Sequence, residues 1–269
     1  MQPLEQMPDT VAAGIRCVFT DIDDTLTTEG RLPAAAYQAL EQLQAAGIDA
    51  VPVTGRPAGW CDMIARFWPV AGVIGENGGF YFRYQTRQKT MLRIYEQPEP
   101  ERRINRQRLE HIRTRVLNEV DGAGISADQA YRELDLAVDF CEDVPPLSAP
   151  AIAQIRTIFE QEGAVAKVSS IHVNGWYGSY DKLSMAKRFV HEVYGQTLDA
   201  CEAQYLFCGD SPNDAPMFGY FSNACGVANV RDFEGEIEHL PAWITPGRGA
   251  QGFVELTRKL LAARGDGPV

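Results

Sequence analysis

Residues 17–27, which read CVFTDIDDTLT, are a short apolar run that ends in a group of aspartates. Asp is poorly suited to the interior of a strand, so we expect a strand to end here for a reason. Residues two apart in a strand project on the same side, so Asp21 and Asp23 face one point if the strand continues through them. Such carboxylates are compatible if a divalent cation lies between them or one is protonated. An ordinary acidic turn is the alternative.

The composition of the whole chain excludes several function classes. The 269 residues carry a formal net charge of −11, and 45% are hydrophobic, as in an ordinary globular protein. Nucleic-acid surfaces need basic patches, and no apolar run is long enough to span a bilayer. The cysteines are scattered, and the first residues lack the features of a secretory signal. We expect a cytoplasmic protein without nucleic-acid or membrane partners, and its oligomeric state stays open.

The apolar pattern around the first acidic stretch predicts a parallel sheet. A helix, a second strand over residues 48–54 and a third strand over 70–74 follow one another in the order of a parallel α/β unit. Functional sites in such sheets gather at the carboxyl ends of the strands. Three polar residues are expected at such ends: Asp21, Thr54 and Asn77.

The middle of the chain differs in composition and predicts a separate α+β block. An arginine-rich helix is expected from residue 99, and a solvated face explains its arginines better than attraction of an anionic substrate. Its inward residues should be Ile104, Leu109, Ile112 and Val116. Further strands are expected over 134–140, 165–169 and 171–177, with a helix over 148–161. We therefore divide the chain into a first domain of residues 1–84 and 179–269 and a second of residues 85–178.

A second acidic turn, GDSPND at residues 209–214, follows another predicted strand. If both strands lie in one sheet, four carboxylates can meet at one edge and offer the oxygen ligands that Mg²⁺ prefers: Asp21, Asp23, Asp210 and Asp214. A phosphate brought to such an acidic edge needs an ammonium and a hydroxyl group, for which Lys182 and Thr54 are candidates. Taken singly, such residues more often lie on the surface or cap a helix.

Four segments together resemble the motifs of the haloacid dehalogenase (HAD) superfamily. They read DIDDT at 21–25, TGR at 54–56, DK at 181–182 and GDSPND at 209–214. The segments ENGG at 76–79 and GVAN at 226–229, and the insert after the second motif, are similar to the Cof-type branch, which includes sugar phosphatases. The resemblance implies an α/β fold: a Rossmann-like HAD core with a parallel sheet plus an inserted α+β cap domain of the C2 type.

The resemblance also implies roles for individual residues. Asp21 would attack phosphorus to form an aspartyl-phosphate, and Asp23 would protonate the leaving oxygen and then deprotonate the hydrolytic water. Mg²⁺ would be held by Asp21, the backbone carbonyl of Asp23, Asp210 and, directly or indirectly, Asp214. Phosphate or substrate binding is implied for Thr54, Gly55, Arg56, Asn77, Lys182 and Asn213, although Arg56 and Asn77 could equally fasten loops.

A few further positions stay open at this stage. Many relatives have glycine where Asp24 stands, so we expect Asp24 to point away from the metal. In the insert, Asn174, Trp176 and Tyr177 are candidate substrate contacts, and a buried hinge is the better explanation for the two aromatic residues.

The resemblance implies a Mg²⁺-dependent phosphomonoesterase whose partner is a small phosphorylated substrate, in particular a sugar phosphate. A phosphomutase shares the nucleophile and is an alternative within the superfamily. A phospho-aspartate signalling or binding module is an alternative of another class, because it also combines acids, a threonine and a lysine around Mg²⁺. Such modules are much shorter and lack a cap-sized insert.

Overall fold

The computed structural model describes residues 1–169 and 171–265. Its strands are β1 (Gln2–Pro3), β2 (Cys17–Thr20), β3 (Asp49–Pro52), β4 (Val73–Gly75), β5 (Phe80–Gln85), β6 (Thr90–Tyr95), β7 (Gly124–Ile125), β8 (Asp135–Asp139), β9 (Val165–Val168), β10 (His172–Trp176), β11 (Tyr205–Gly209), β12 (Cys225–Gly226) and β13 (Trp243–Ile244). Its α-helices are α1 (Asp9–Gly14), α2 (Ala34–Ala45), α3 (Ala58–Phe67), α4 (Glu99–Glu119), α5 (Ala149–Gln161), α6 (Lys182–Tyr194), α7 (Leu198–Cys201), α8 (Ala215–Tyr220) and α9 (Gly249–Arg264). Within the described ranges, no helix is both long enough and apolar enough to cross a membrane.

The central sheet is parallel, as the sequence predicts. Its six strands lie in the order β1, β13, β12, β11, β2, β3, and each neighbouring pair is parallel. A parallel bridge between Val53 and Ile74 adds β4 beside β3. The carboxyl ends of β11, β2, β3 and β4 therefore lie side by side, and this arrangement positions the candidate site.

The strand β2 is buried on both faces, which explains why its sequence is apolar throughout rather than alternating. Successive side chains point to opposite faces, so Val18 belongs to one apolar cluster and Phe19 to another. The first cluster includes Leu40 of α2 and Leu256 of α9, and the second includes Phe189 of α6. Helices thus cover both faces of the sheet, as expected for an α/β fold.

A hairpin of β5 and β6 pairs antiparallel with β4 and extends the core. The boundary that we drew between residues 84 and 85 lies inside this hairpin. The division into residues 1–84 with 179–269 and residues 85–178 stays a prediction.

A second sheet is antiparallel, with four strands in the order β7, β8, β10, β9. Helices α4 and α5 pack on one of its faces through an apolar cluster that contains Ile112, Val138, Ile155 and Val173. We call the unit of α4, α5 and this sheet the cap. Its two helices and its strands β8, β9 and β10 are those that the sequence predicts for the α+β block, whereas β7 was not predicted.

The predicted inward face of α4 is wrong at one position. Leu109, Ile112 and Val116 are buried, but Ile104 is 58% exposed. Asn105 is buried in its place and donates from Nδ2 to Gln97 Oε1 at 3.1 Å. At 100° per residue, position 105 lies on the same stripe as 109, 112 and 116, whereas position 104 lies outside it.

Glu76 fastens the cap to the core. Its side chain is fully buried, and its carboxylate accepts a hydrogen bond from the N–H of Ala58 at the start of α3, at 3.0 Å. It also accepts from the N–H groups of Glu133 at 2.9 Å, Leu134 at 2.6 Å and Asp135 at 3.1 Å, where β8 begins. One carboxylate thus accepts hydrogen bonds from backbone donors of both the core and the cap. It fixes the start of β8, one of the two inner strands of the cap sheet, against the core.

Candidate active site

The first acidic stretch leaves the sheet as soon as β2 ends. The N–H of Asp21 still donates to the Cys208 carbonyl of β11, at 2.9 Å. The chain then turns, and the N–H of Leu26 donates to the Ile22 carbonyl at 2.9 Å. The strand does not continue through Asp23, so the same-side projection considered from the sequence does not apply. Asp21 and Asp23 therefore contact different partners.

Lys182, the first residue of α6, lies between two buried carboxylates. Its Nζ donates to Asp21 Oδ1 at 2.7 Å and to Asp214 Oδ1 at 2.8 Å. The helix start is fixed by a capping box, in which Asp181 accepts from the Ser184 N–H at 2.7 Å and Ser184 Oγ accepts from the Asp181 N–H at 2.9 Å. This local sequence sets where the lysine leaves the helix.

Asp210 follows the end of β11, beside β2. Its Oδ1 accepts from Thr25 Oγ1 at 3.0 Å, and its N–H donates to Asp214 Oδ2 at 3.1 Å. The approach requires glycine at 209, because a Cβ there would lie 2.4 Å from Asp214 Oδ2. The structure thus brings Asp21, Asp210 and Asp214 together on neighbouring strand ends, as the sequence predicts.

The electrostatics of this cluster are those of crowded, buried carboxylates. Burial raises the pKa of Asp21 to about 7, with Asp214 and Asp23 adding to the rise and Lys182 opposing it. Burial and the neighbouring Asp21 and Asp214 raise the pKa of Asp210 well above its usual range. Burial opposes the charge on Lys182, yet Asp21 and Asp214 hold its pKa above the ordinary value. One ammonium thus leaves this group of acids short of positive charge.

The donor chemistry fits a hard divalent cation such as Mg²⁺, which takes carboxylate oxygens at sites where acids are crowded. Asp21 and Asp210 would hold it, together with the backbone carbonyl of Asp23. Over residues 1–169 and 171–265, however, no group of three His, Cys, Asp or Glu is arranged as a ready metal site. Lys182 occupies the carboxylates of Asp21 and Asp214 instead. The ligand set stays a prediction.

Protons should compete with a divalent cation at this cluster. Because the folded-state pKa of Asp21 is raised from 3.8 to about 7, metal-free protein should lose stability as the pH rises through that window. Mg²⁺ binds the ionised carboxylates, so its upward shift of the melting temperature should be larger at pH 8 than at pH 6. Thermal unfolding with MgCl₂, against NaCl of equal ionic strength, measures this. Asp210→Asn should abolish the shift, and an equal shift at both pH values would contradict the prediction.

The second motif and the glycine-rich loop lie together at the ends of β3 and β4. Thr54 is fully buried, and its Oγ1 accepts from the Arg56 N–H at 3.0 Å. The Asn77 N–H donates to the Thr54 carbonyl at 3.0 Å, and Asn77 adopts a left-handed conformation with φ 55°. A Cβ at Gly55 would lie 3.2 Å from Asn77 Nδ2, so glycine lets the two loops pack closely. Loop fastening is thus visible for Asn77, and substrate contact stays a prediction.

Glycine at 78 ties the same loop to the start of α6. Its φ is +104°, and a Cβ there would lie 2.0 Å from the Asp181 carbonyl oxygen. The lysine-bearing helix therefore packs directly against the loop that carries Asn77. Asn213, the remaining predicted phosphate ligand, accepts from Ser211 Oγ at 2.9 Å and lines the cavity described below.

Arg56 binds the carboxylate of Asp23. Its Nε lies 3.0 Å from Oδ2 and its Nη2 lies 2.8 Å from Oδ1. The same guanidinium donates from Nη1 and Nη2 to Glu142 Oε1, at 3.2 Å each, and Glu142 belongs to the cap. Arg56 was predicted to touch phosphate or substrate; here it joins the first motif to the cap, and that binding role stays a prediction.

The backbone conformation at Asp24 is one that suits the glycine expected at this position from the resemblance described above. Asp24 adopts a left-handed conformation with φ 58°, which glycine enters without strain and Asp tolerates. Its carbonyl accepts from Asn229 Nδ2 at 3.2 Å, within the segment GVAN. The unusual residue is therefore accommodated by the turn itself.

The face of the cap sheet away from α4 and α5 carries buried polar side chains: Asp135, Asp139, His172 and Asn174. Asn174 Nδ2 donates to Asp135 Oδ2 at 2.9 Å. Of these residues the sequence singled out only Asn174. The alternation of apolar and polar residues from Leu134 to Phe140 could have drawn attention to Asp135 and Asp139, because both polar residues are buried rather than exposed to solvent.

Arg132 lines the candidate site and was not singled out from the sequence. Its Nη1 donates to the Gly55 carbonyl and to Asp135 Oδ1, at 2.9 Å each, and its Nε donates to Asp128 Oδ1 at 2.9 Å. The cap thus holds the turn at Gly55 through a side chain that is 1% exposed. The residues next to Arg132 in the sequence do not reveal that it bonds to Gly55, which is distant in the chain.

The aromatic residues Trp176 and Tyr177, near the end of the insert, are not among the residues that line the cavity described below. Trp176 is 1% exposed and stacks on Tyr180, with ring centroids 5.7 Å apart. The Tyr177 carbonyl accepts from Gln97 Nε2 at 2.7 Å, which joins the two chain crossings between core and cap. These contacts favour the hinge interpretation for Trp176 and Tyr177.

A narrow cavity lies where core and cap meet, with about 30 Å³ open to the centres of water-sized spheres. It is lined from the core by Asp21, Asp23, Gly55, Arg56, Asn77, Ser211 and Asn213, and from the cap by Arg132, Ser169, Ile171, His172 and Asn174. Its lining is rich in charged, amide and hydroxyl groups, which are the groups that orient a polar ligand. Thr54, Lys182, Asp210 and Asp214 lie behind this lining.

Comparison with known proteins finds a family similarity over part of the chain and a shared fold over most of it. Residues 18–131 match the model of the haloacid dehalogenase-like hydrolases. No curated protein is significantly similar in sequence. Among solved structures, protein 0175 of Thermoplasma acidophilum is 20% identical with a TM-score of 0.67, and the match covers 91% of this chain and 98% of that one.

Two further structures share the fold. A haloacid dehalogenase-like hydrolase from Bacteroides thetaiotaomicron is 16% identical with a TM-score of 0.63, covering 91% of this chain and 99% of that one. The sucrose-phosphatase from Synechocystis, solved with sucrose and phosphate, is 15% identical with a TM-score of 0.59, covering 91% and 97%. Over residues 18–131 this chain is similar to the haloacid dehalogenase-like hydrolases, and it shares the fold of these solved structures over more than nine-tenths of its length.

Proposed function

We propose that this protein is a Mg²⁺-dependent phosphomonoesterase that hydrolyses a small phosphorylated metabolite, in particular a sugar phosphate, in the cytoplasm. The observation that carries the proposal is the contact of Lys182 Nζ with both Asp21 and Asp214, at 2.7 and 2.8 Å, behind a cavity on which Asp21 opens. The side chains proposed as nucleophile, as phosphate-binding ammonium and as cation ligands are thus close together, which supports the proposal. Solved structures of similar fold include the sucrose-phosphatase from Synechocystis, a protein named for such a reaction.

In the proposed reaction, a carboxylate oxygen of Asp21 attacks phosphorus while the bond to the leaving oxygen breaks. Asp23 gives its proton to that oxygen and releases the alcohol. Water then attacks the aspartyl-phosphate, Asp23 takes the water's proton, and Asp21 is regenerated as inorganic phosphate leaves. Lys182 and Thr54 hold the phosphoryl oxygens. Bound Mg²⁺ supplies charge neutralisation that lets one anion approach another.

The polar face of the cap supports a hydroxyl-rich leaving group. Asn174, His172 and Ser169 line the cavity from the cap beside Ile171, and their polar groups can form hydrogen bonds. Such groups match the alternating hydroxyls of a sugar. The cap also separates the reacting atoms from bulk water, which favours the covalent intermediate.

A phosphate-release assay over a panel of phosphorylated sugars, sugar acids, nucleotides and cofactors tests the proposal. With MgCl₂ present, we expect release from at least one sugar phosphate, and a chelator should abolish it. Release that survives the chelator, or no release from any member of the panel, would contradict the proposal. An isomerised sugar phosphate without free phosphate would identify a phosphomutase instead.

A further inference from the structure

Arg56 connects a charged side chain of the cap, Glu142, with the proposed acid of the core, Asp23. Arg56 holds both oxygens of Asp23 from Nε and Nη2. Its remaining terminal nitrogen, Nη1, together with Nη2, donates to Glu142 at 3.2 Å. A guanidinium presents its donors in a rigid planar fork, so a partner on one side fixes the orientation presented on the other.

Glu142 is itself held by the cap. Its Oε2 lies 2.9 Å from His172 Nε2, and His172 is a buried residue of β10. The contact with His172, followed by the charge of Arg56, lowers the pKa of Glu142 to about 2, so this carboxylate is ionised. The order of contacts is therefore Asp23, Arg56, Glu142 and His172, running from the core sheet edge into the cap sheet.

We propose that Glu142 is a positioning residue, which orients Asp23 through Arg56 and so makes protonation of the leaving group depend on the seated cap. This inference rests on the phosphatase function proposed above. Glu142 does not line the cavity, whereas Asp23 and Arg56 do. Its effect on the reaction must therefore pass through the guanidinium rather than through direct contact with substrate.

The leaving group distinguishes this role from a merely structural one. Phenoxide is a poorer leaving group than 4-nitrophenoxide and depends more on a correctly oriented acid. With MgCl₂ present, Glu142→Ala should lower kcat/KM for phenyl phosphate about tenfold more than kcat/KM for 4-nitrophenyl phosphate. Glu142→Gln keeps an acceptor oxygen for Arg56 and should restore most of the difference.

Asp143→Ala is the matched control, because Asp143 lies next in the same loop and its backbone N–H, which the substitution keeps, donates to Asp139. It should leave both kcat/KM values unchanged. Equal losses on both esters in Glu142→Ala, or a change in KM alone, would overturn the inference.

A second measurement needs no turnover. In protein labelled with ¹⁵N-arginine, the Arg56 Nε–H should exchange slowly with solvent in the wild type and faster in Glu142→Ala, because its guanidinium then loses both hydrogen bonds to Glu142 and keeps, on the cap side, the longer ion pair with Asp128 at 3.7 Å. Unchanged exchange would overturn the inference. If the wild type hydrolyses neither ester, the phosphatase proposal fails, and the exchange measurement by itself then decides whether Glu142 fixes Arg56.

Discussion

Replacing Asp21 by Asn is expected to abolish phosphate release while leaving the fold intact. The amide is a poor nucleophile, and loss of a nucleophile in comparable covalent mechanisms lowers turnover by about a thousandfold or more. Asn keeps an Oδ1 that can accept from Lys182, which bonds to Asp21 at 2.7 Å. The substitution also removes a buried carboxyl group that is costly to ionise, since burial raises the pKa of Asp21 to about 7. Stability should therefore not fall.

The assay is phosphate release with MgCl₂, combined with thermal unfolding of the same preparation. Asp24→Asn is the matched control, since Asn accepts the left-handed conformation that Asp24 adopts with φ 58°. It should retain activity. Turnover that survives Asp21→Asn, in protein with an unchanged melting temperature, would rule out Asp21 as the nucleophile.

Replacing Lys182 by Met is expected to cause the largest loss of stability. The lysine is the counter-charge for Asp21 and Asp214, and all three side chains are buried. Removing one partner of a buried ion pair costs about 3–5 kcal/mol, because the remaining charge has no compensation. At pH 5.5 the acids can take up protons, so the loss should be smaller there than at pH 8.

Urea unfolding without Mg²⁺ at the two pH values measures this effect. Lys187→Met is the control on the same helix: its Nζ pairs with Asp199 at 2.8 Å, but the lysine side chain is 39% exposed. Exposed pairs contribute at most about 1 kcal/mol, so the control should change little. A loss in Lys182→Met no larger than in Lys187→Met would show that the buried contacts are not those described.

Much of the fold follows from local sequence. The apolar run of β2 is continuous because both faces of its sheet are covered, and its abrupt end in Asp21 marks the sheet edge where the site lies. The capping box of Asp181 and Ser184 defines the start of α6 from four consecutive residues. Ile104 shows the limit of judging by side-chain type: it is apolar but exposed, whereas the polar Asn105 is buried, because helical periodicity places position 105 on the buried stripe.

The sequence was less informative about the cap. It placed Asn174 among candidate contacts, but it did not single out Arg132 or Glu142, because their partners Gly55 and Arg56 are distant in the chain. Ion pairs of this kind carry no periodic signal. They arise only when two units, each stable through its own apolar cluster, meet face to face.

By itself, the sequence determined that acidic turns follow two apolar strands and that Lys182 begins a helix, since strand endings and helix caps depend on neighbouring residues. Only the tertiary structure decided that Asp21 and Asp23 go to different partners, the first to Lys182 and the second to Arg56. The physical reason is that the strand stops before Asp21. Beyond that point the direction of each carboxylate is set by charges brought from remote segments, and not by the alternation of a strand.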